Sequence, residues 1–269
     1  MLFNHQVQDP YAVFRSSNTP AGLYARQKWL GESSTPEWKE DFTAAVDKLV
    51  RGQSADGLWQ GTAIETIQRL FGLHLTVRHP DPSIDKGLDA LLDIVSAAMS
   101  ETQPDFVQPE QLNGLPFTTG PRASVLVPAT LFLCAIFGRS EAKRVVALYG
   151  RAVQVVNLAI DHREKTSWRH NLLRALVVHP RYADHPASRR IVAWLADRQT
   201  RQGDWGPDIP FYQALNALAH LDTPAAERQT QRAIDHLCAR QHADGSWGTS
   251  QRQWCTFLAV HALRNRGIL

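Results

Sequence analysis

One seven-residue pattern occurs three times in this chain and constrains its fold more than any other feature. The stretches QSADGLW, QTRQGDW and QHADGSW begin at Gln53, Gln199 and Gln241, and each has the form Q-x3-G-x-W. A leucine stands four residues before each Gln. Self-similarity of this kind is the signature of repeat architectures, in which each unit buries its apolar face against its neighbours. The pattern therefore predicts a chain built from repeated units.

The residues on either side of the pattern predict two helices of different character. Before one Gln, the stretch RRIVAWLADRQ places apolar and charged residues on different helical faces, as in a half-exposed helix. After the corresponding Trp, the stretch DIPFYQALNALAHL is apolar on nearly all sides, which predicts a more buried helix. The Gly permits the turn between the two helices. The Gln is expected to hydrogen-bond backbone groups left open at the helix end.

Between and before the patterns, similar helical stretches recur and strand signals are absent. The expected fold is all-α, a single α/α toroid or barrel of about five to six helical hairpins with Q-x3-G-x-W repeats. The stretch AGLYARQKWL supplies an additional N-terminal helix. The expected ranges are one domain at 1–269, clear repeats at 38–77 and 185–266, buried helices at 122–138 and 167–179, half-exposed helices at 140–160 and 185–200, and a loop at 101–121.

Composition and charge exclude several classes of function. The net charge of +3 is weak, and no dense basic stripe with interleaved aromatic residues indicates nucleic-acid binding. Three cysteines without a CxxC pair, and no visible secretion signal, favour a reduced cytoplasmic protein. The uncharged run 123–138 is shorter than the ~20 residues of a membrane span. No cofactor motif is present, no feature indicates a membrane surface, and the oligomeric state stays open.

The repeat pattern resembles that of squalene–hopene cyclases, oxidosqualene cyclases and protein prenyltransferase β subunits, the prenyltransferase / squalene oxidase repeat superfamily. The resemblance rests on the three Q-x3-G-x-W stretches and covers under half of the chain. It implies an α/α toroid whose apolar central cavity holds an isoprenoid, so the expected partner is an apolar small molecule. The pattern does not select a reaction.

The catalytic acid of class II cyclases has no clear counterpart here. The resemblance implies an Asp in a DxDD-like motif, but no two Asp residues lie closer than four positions apart, so neither DxDD nor DDxxD is present. The nearest counterpart, GTAIETI, carries Glu65. However, Thr62 and Glu65 also have the spacing of a helix capping box. Glu65 is therefore either a catalytic acid or a capping residue.

The zinc site of protein prenyltransferases is incomplete in this sequence. Asp208 matches the Asp of the family's Asp-x-Cys, but Pro210 stands in place of the Cys. The later helix carries Trp254 and Cys255 where the family has its His. One ligand of three does not make a zinc site, so no metal is expected. Asp208 ahead of Pro210 is also a natural helix-start residue.

Four histidines each stand at or near the end of a predicted buried helix: His74, His179, His220 and His261. Tyr212, Asn216 and His220 share one helical face, as do Trp254, Leu258 and His261, and the two faces are expected to meet. These histidines either form a cluster facing a cavity, where they bind a ligand or a metal, or interact with helix C-termini.

The leading hypothesis is a terpenoid cyclase- or prenyltransferase-like enzyme that acts on an isoprenoid without the usual acid or metal motifs. Aromatic rings would stabilise carbocations, unless they only pack the core. The alternative is a non-catalytic isoprenoid- or lipid-binding protein on the same fold. A glycan enzyme would need paired carboxylates, and only Glu65 and Asp208 are available. The candidate catalytic residues are Asp208, His220, His170, Tyr212 and Glu65, and the candidate substrate-binding residues are Trp168, Trp254, Phe132, Asn216, His261 and Cys255.

Overall fold

A computed structural model describes residues 7–77, 81–98, 106–158 and 166–269. Within these ranges helices make up nearly all of the regular secondary structure. The α-helices are α1 (Pro20–Lys28), α2 (Pro36–Val50), α3 (Ala63–Thr76), α4 (Pro82–Ala98), α5 (Arg122–Ile136), α6 (Lys143–Leu158), α7 (Thr166–Leu176), α8 (Pro186–Ala196), α9 (Phe211–Leu218), α10 (Pro224–Cys238) and α11 (Arg252–Asn265). Short 3-10 helices span Ala12–Phe14, Glu32–Ser34 and Pro109–Leu112. The predicted all-α class is confirmed.

Buried and half-exposed helices alternate along the chain, as the sequence predicts. Helix α5 is buried over most of its length, and α7 buries every residue from Trp168 to Leu176. By contrast, α2 buries only Trp38. The predicted buried helices at 122–138 and 167–179 correspond to α5 and α7. Helices α6 and α8 correspond to the predicted half-exposed ones.

Residues 101–105 of the loop predicted at 101–121 lie outside the described residues. Over 106–121 the prediction is wrong in one detail. A two-residue strand β1 (Phe106–Val107) pairs antiparallel with β2 (Gly120–Pro121) directly before α5. Such short strands lie below the length at which an alternating apolar pattern can be recognised in a sequence. Because β2 ends where α5 begins, the pairing fixes the entry of the chain into its most apolar helix.

The Gly of each Q-x3-G-x-W stretch occupies a backbone conformation that other residues rarely adopt. Its φ is +89° at Gly57, +96° at Gly203 and +80° at Gly245. A Cβ at any of the three would also lie 2.5 Å or less from a carbonyl oxygen of another segment. Glycine is therefore required both for the turn and for the close backbone approach. The carbonyl groups concerned belong to Lys86, Arg232 and Asp9, in the same order.

The Gln of each stretch joins its own turn to another segment of the chain. In all three, Nε2 donates to the carbonyl oxygen of the motif Gly at 2.8–3.0 Å. The same nitrogen donates to a second carbonyl oxygen at 2.8–2.9 Å. The amide thus satisfies two backbone acceptors that the turn leaves open. The second acceptors are Ser83 for Gln53, Gln229 for Gln199 and Gln8 for Gln241.

The three motif tryptophans are buried, but their indole nitrogens differ in hydrogen bonding. Nε1 of Trp59 donates to the carbonyl oxygen of Val50 at 3.2 Å, and Nε1 of Trp247 donates to that of Leu237 at 2.9 Å. Each acceptor belongs to the helix that precedes the motif. Nε1 of Trp205 is enclosed without a partner. The ring therefore fixes the preceding helix mainly by packing, and in two cases also by a hydrogen bond.

Residue contacts divide the chain into two compact units. The first comprises Met1–Ala45 and Val192–Leu269, and the second comprises Val46–Ile191. Unit 1 contains α1, α9, α10 and α11, and unit 2 contains α3 to α7. The assignment of residues 1–269 to a single domain stays a prediction. In the part of the chain that the structure describes, no helix is both long and apolar enough to cross a membrane.

Candidate functional site

In unit 1, helices α9 and α11 bring together the two predicted polar stripes. Nδ2 of Asn216 donates to the carbonyl oxygen of Leu258 at 3.1 Å. His220 follows Asn216 by four residues, and His261 follows Leu258 by three. The ring centroids of the two imidazoles lie 5.3 Å apart. Nδ2 of Asn265 lies 3.4 Å from Nδ1 of each. The expected meeting of the two faces therefore occurs.

An aromatic group surrounds Phe257 beside this histidine pair, and we call it the Phe257 cluster. The ring of Phe257 stacks on Trp254 at 5.2 Å with an interplanar angle of 11°. It also contacts Tyr24 edge-on at 5.4 Å, Trp29 at 5.2 Å and His261 at 6.1 Å. Helix α1 and the residue after it thus join α11 in one aromatic surface.

The Phe257 cluster contains both buried and half-exposed residues. Trp254, Phe257 and Tyr24 are buried, whereas Trp29 and His261 retain partial exposure. Aromatic faces attract a positive charge, and an imidazole can accept a proton. A hydrocarbon chain lying against this surface would therefore meet groups suited to a carbocation and to its deprotonation.

Tyr212 and Cys255 lie on the same two helices but are poor acids or bases. Burial raises the pKa of Tyr212 to about 12, and the neighbouring Cys255 adds to the shift. Burial raises the pKa of Cys255 to about 11. The Cys255 thiol donates to the carbonyl oxygen of Ser250 at 3.5 Å. Tyr212 packs edge-on against Phe211, with the ring centroids 5.3 Å apart. Both groups are neutral at neutral pH and can contribute apolar surface.

Unit 2 contains a second aromatic group, centred on Phe132 of α5, which we call the Phe132 cluster. The Phe132 ring lies 5.9 Å from Phe71, 5.9 Å from His74 and 5.8 Å from Phe117. Arg174 of α7 places its guanidinium carbon 5.4 Å from the centre of the same ring. Phe132, one of the predicted substrate-binding residues, thus contacts three other rings and the Arg174 guanidinium.

His170, one turn before Arg174 on α7, is a buried histidine without a hydrogen-bond partner on either ring nitrogen. Burial lowers the pKa of His170 to about 4, the Asn171 side chain partly opposes this shift, and the Arg174 charge adds to it. The imidazole is therefore neutral at neutral pH. Trp168 on the same helix is buried, and its Nε1 also lacks a partner. The structure places His170 and Trp168 in unit 2.

The helix-start role predicted for Asp208 is wrong. Helix α9 begins at Phe211, its N-cap residue is Pro210, and Asp208 lies exposed in the preceding turn. The physical reason is the proline itself, because the residue before a proline is driven away from the helical region. Helical geometry can therefore start only after Ile209. An exposed carboxyl is also not the shielded acid that protonation of an alkene requires.

Glu65 follows a genuine N-cap. Thr62 is the N-cap of α3, and its hydroxyl accepts a hydrogen bond from the Glu65 backbone nitrogen at 3.2 Å. The Glu65 carboxylate does not return to Thr62 but pairs with Nε of Arg69 at 2.6 Å, one turn along the helix. Half of the predicted capping box is thus present. The Glu65 carboxylate is instead engaged by Arg69 on its own helix.

His179 belongs to the packing of the core and not to either cluster. Its ring lies 4.6 Å from that of Tyr149 and 4.9 Å from that of Tyr182. Nδ1 accepts a hydrogen bond from the backbone nitrogen of Arg181 at 3.1 Å, closing the turn after α7. Among the described residues, no group of three or more His, Cys, Asp or Glu side chains is arranged to hold a metal ion.

Six residues of the two clusters are absent from the candidates predicted from the sequence: Tyr24, Trp29, Phe257, Phe71, Phe117 and Arg174. The stretch AGLYARQKWL predicts only a helix, although its Tyr24 and Trp29 are the residues that contact Phe257. A signal for Arg174 was present, since it stands four residues after His170 in a helix predicted to be buried. Two polar residues on one face of a buried helix require partners, and that requirement marks the site.

Comparisons with known proteins agree with this fold. No family model matches the chain. The type II terpene cyclase MstE from Scytonema has a similar structure in its apo form, with a TM-score of 0.53, 15% identity, and coverage of 96% of this chain and 89% of that one. An arginine-to-alanine variant of MstE in complex with geranylgeranyl dihydroxybenzoate gives a TM-score of 0.54, 15% identity, and coverage of 94% and 87%.

A curated protein also matches part of the sequence. The ent-copalyl diphosphate synthase of Streptomyces sp. (strain KO-3988) is 30% identical over 148 residues, which cover 51% of this chain. The match spans 29% of that synthase's length. The resemblance to the terpenoid cyclase superfamily is thereby confirmed, and the chain has the α/α-toroid fold class of that superfamily.

Proposed function

We propose that the protein binds an isoprenoid substrate against the Phe257 cluster and acts on it in the manner of a terpenoid cyclase. The observation that carries this proposal is the continuous aromatic surface formed by Tyr24, Trp29, Trp254 and Phe257, with two imidazoles beside it. Its support from outside the chain is a fold neighbour that binds geranylgeranyl dihydroxybenzoate and a partial relative that is a copalyl diphosphate synthase.

The cluster matches the chemistry of a cyclising hydrocarbon chain. A carbocation on the chain gains from the negative faces of nearby aromatic rings, and the gain is largest where water is excluded. Trp254 and Phe257 present stacked rings in a buried setting. In a cyclisation that begins with protonation, the chain gains one proton at the start. The reaction ends when a carbon next to the cation loses one proton to a base, so the product is an isomer of the substrate. His261, which contacts Phe257 and lies beside His220, is positioned to be that base.

A second candidate function is binding of an isoprenoid without turnover. It is favoured by the setting of the two candidate acids, since Asp208 is exposed and Glu65 is paired with Arg69. Neither carboxyl is both shielded from water and free of a charged partner, the setting expected of a group that delivers a proton to an alkene. In this alternative the Phe257 cluster serves only as an apolar binding surface.

Incubation with geranylgeranyl diphosphate and with geranylgeraniol, followed by mass spectrometry of the extracted products, separates the two functions. The cyclase proposal expects cyclised isomers, reduced at least tenfold in rate in His261→Leu and retained in His185→Leu, which changes a histidine in the turn before α8. Unchanged substrate together with measurable binding supports the binding protein. Neither product nor binding contradicts both functions.

A further inference from the structure

Arg174 is a buried cation for which the described part of the protein supplies no counter-charge. Only 7% of the residue is exposed. Nε and Nη1 are enclosed and have no hydrogen-bond partner. Burial lowers the pKa of Arg174 to about 10, a shift that leaves the guanidinium charged at neutral pH. An unpaired buried charge is strongly unfavourable, so a group that completes it is expected.

His170 adds a second set of unsatisfied atoms on the same face of α7. It stands one helical turn before Arg174, at the four-residue spacing that makes side chains neighbours. The residue is 2% exposed, and neither ring nitrogen has a partner. Because the ring is neutral, one of its nitrogens carries a proton that it can donate. A neutral imidazole and a guanidinium without a counter-charge in the described part of the protein are therefore neighbours in the interior.

The neighbouring polar residue of α7 shows that this helix can satisfy buried groups from within the protein. The Asn171 side chain accepts from the backbone nitrogen of Thr118 at 2.7 Å and donates to the carbonyl oxygens of Thr118 and Ser124 at 3.0 and 2.9 Å. Asn171 is thus fully used in holding the loop before α5. Among the described residues, no such hydrogen bonds to the loop are made by Arg174 or His170, which lie within one turn of Asn171.

We propose that Arg174 and His170 form a buried subsite for an anionic ligand group of the carboxylate or phosphate class. A guanidinium presents paired N–H donors in the plane that matches two oxygens of such a group. Phe132 lies against the guanidinium, its ring centre 5.4 Å from the guanidinium carbon. The anionic group would accept hydrogen bonds from the Arg174 nitrogens that have no partner within the described part of the protein. The other rings of the Phe132 cluster, including Phe117, provide apolar surface for whatever the anionic group is attached to.

Thermal melts at constant ionic strength test the subsite with inorganic pyrophosphate and with benzoate, sodium chloride being the reference. At an anion concentration about tenfold above Kd, we expect a rise in Tm on the order of 2 °C. The two probes distinguish a phosphate from a carboxylate preference. Geranylgeraniol, which carries no anionic group, reports separately on the proposed isoprenoid site, so failure of one proposal is distinguishable from failure of the other.

The decisive variant is Arg174→Met, which keeps much of the side-chain length and removes the charge. Without an added anion its Tm should equal or exceed that of the unmodified protein, and the anion-induced rise should disappear. Arg181→Met removes the same charge from an exposed site paired with Glu141 and should leave the rise unchanged. If Arg174→Met does not fold, Arg174→Lys should retain the fold and show a smaller rise, because it lacks the planar fork.

Three results would overturn the proposal. The first is the absence of any rise in Tm with both anions in the unmodified protein. The second is a rise that persists in Arg174→Met or is equally large in Arg174→Lys. The third is an Arg174→Met variant that folds but melts well below the unmodified protein without anion, since that would show Arg174 to be satisfied within the chain.

Discussion

Nδ2 of Asn216 on α9 donates a hydrogen bond to the main-chain carbonyl oxygen of Leu258 on α11 across 3.1 Å. Both residues are buried. The bond joins two apolar helices beneath the His220–His261 pair and fixes their register at the candidate site. It is specific to an amide donor, because the acceptor is an oxygen. A side chain that offers only an oxygen at this position would face it with repulsion.

Asn216→Asp tests this relationship through its pH dependence. A carboxylate at this position is buried and faces a carbonyl oxygen, so its folded-state pKa rises above the unfolded value. At pH values above the folded-state pKa the buried carboxylate is charged, and the variant is least stable there. Its loss of stability relative to the unmodified protein becomes smaller as the pH falls toward about 4 and the carboxyl is protonated. We expect a loss of about 3–5 kcal/mol in the free energy of unfolding at pH 7.

Urea denaturation at pH 7 and pH 4.5 measures this effect. Gln202→Glu makes the same amide-to-acid change in an exposed turn and should alter stability by less than about 0.5 kcal/mol at either pH. A loss in Asn216→Asp that does not change with pH would show that the Leu258 contact does not control the stability of this helix pair.

Gly203→Ala should destabilise the protein far more than Gly206→Ala. Both glycines have positive φ, +96° and +69°, so both substitutions carry a conformational strain of about 1–2 kcal/mol. Only at Gly203 would the new Cβ also collide with a backbone carbonyl oxygen, that of Arg232. We expect about 3–5 kcal/mol for Gly203→Ala, measured by chemical denaturation. Equal losses at the two positions would remove the close approach as the reason for the motif Gly.

Trp247→Phe should cost more than Trp205→Phe, although both rings are buried in equivalent motifs. Nε1 of Trp247 donates to Leu237, whereas Nε1 of Trp205 has no acceptor. Replacing Trp205 removes an unsatisfied donor, while replacing Trp247 breaks a buried bond. The difference in free energy of unfolding should be about 1–3 kcal/mol. Chemical denaturation of the two variants measures this difference. A larger loss of stability in Trp205→Phe than in Trp247→Phe would contradict the prediction.

The cysteine thiols of the folded protein should react slowly at pH 8. Burial raises the pKa of Cys134 to about 12 and that of Cys255 to about 11, so very little reactive thiolate is present in the folded state. Ellman's reagent should modify them at least tenfold more slowly in buffer than in guanidinium chloride. Rapid native reaction that disappears in Cys255→Ser would contradict the burial of that thiol.

The sequence predicted the helices and their burial well, because helix periodicity is a local property. The run that became α5 is apolar on every face, and no other element accommodates such a run in an all-α chain. The start of α9 was misplaced because the effect of Pro210 on Ile209 outweighs the capping preference of Asp208. β1 and β2 are too short to carry a pattern.

The candidate site could be predicted only where both partners lie at repeating positions. His220 and His261 stand at similar distances after their motif tryptophans, so their proximity followed from the repeat. Tyr24 and Trp29 lie in a helix without the motif, and nothing in the sequence specifies that α1 packs on α11. The burial of Arg174 cannot be predicted from its residue type, because solvent exposure depends on how the neighbouring residues pack around it.

The central claim is that an isoprenoid binds at the Phe257 cluster, and isothermal titration with geranylgeraniol tests it most directly. We expect binding that weakens at least about tenfold in Trp254→Leu and in His261→Leu. Trp194→Leu, a change on α8 outside the cluster, should bind as the unmodified protein does. Absence of binding in the unmodified protein, or equal affinity in all three folded variants, would contradict the account.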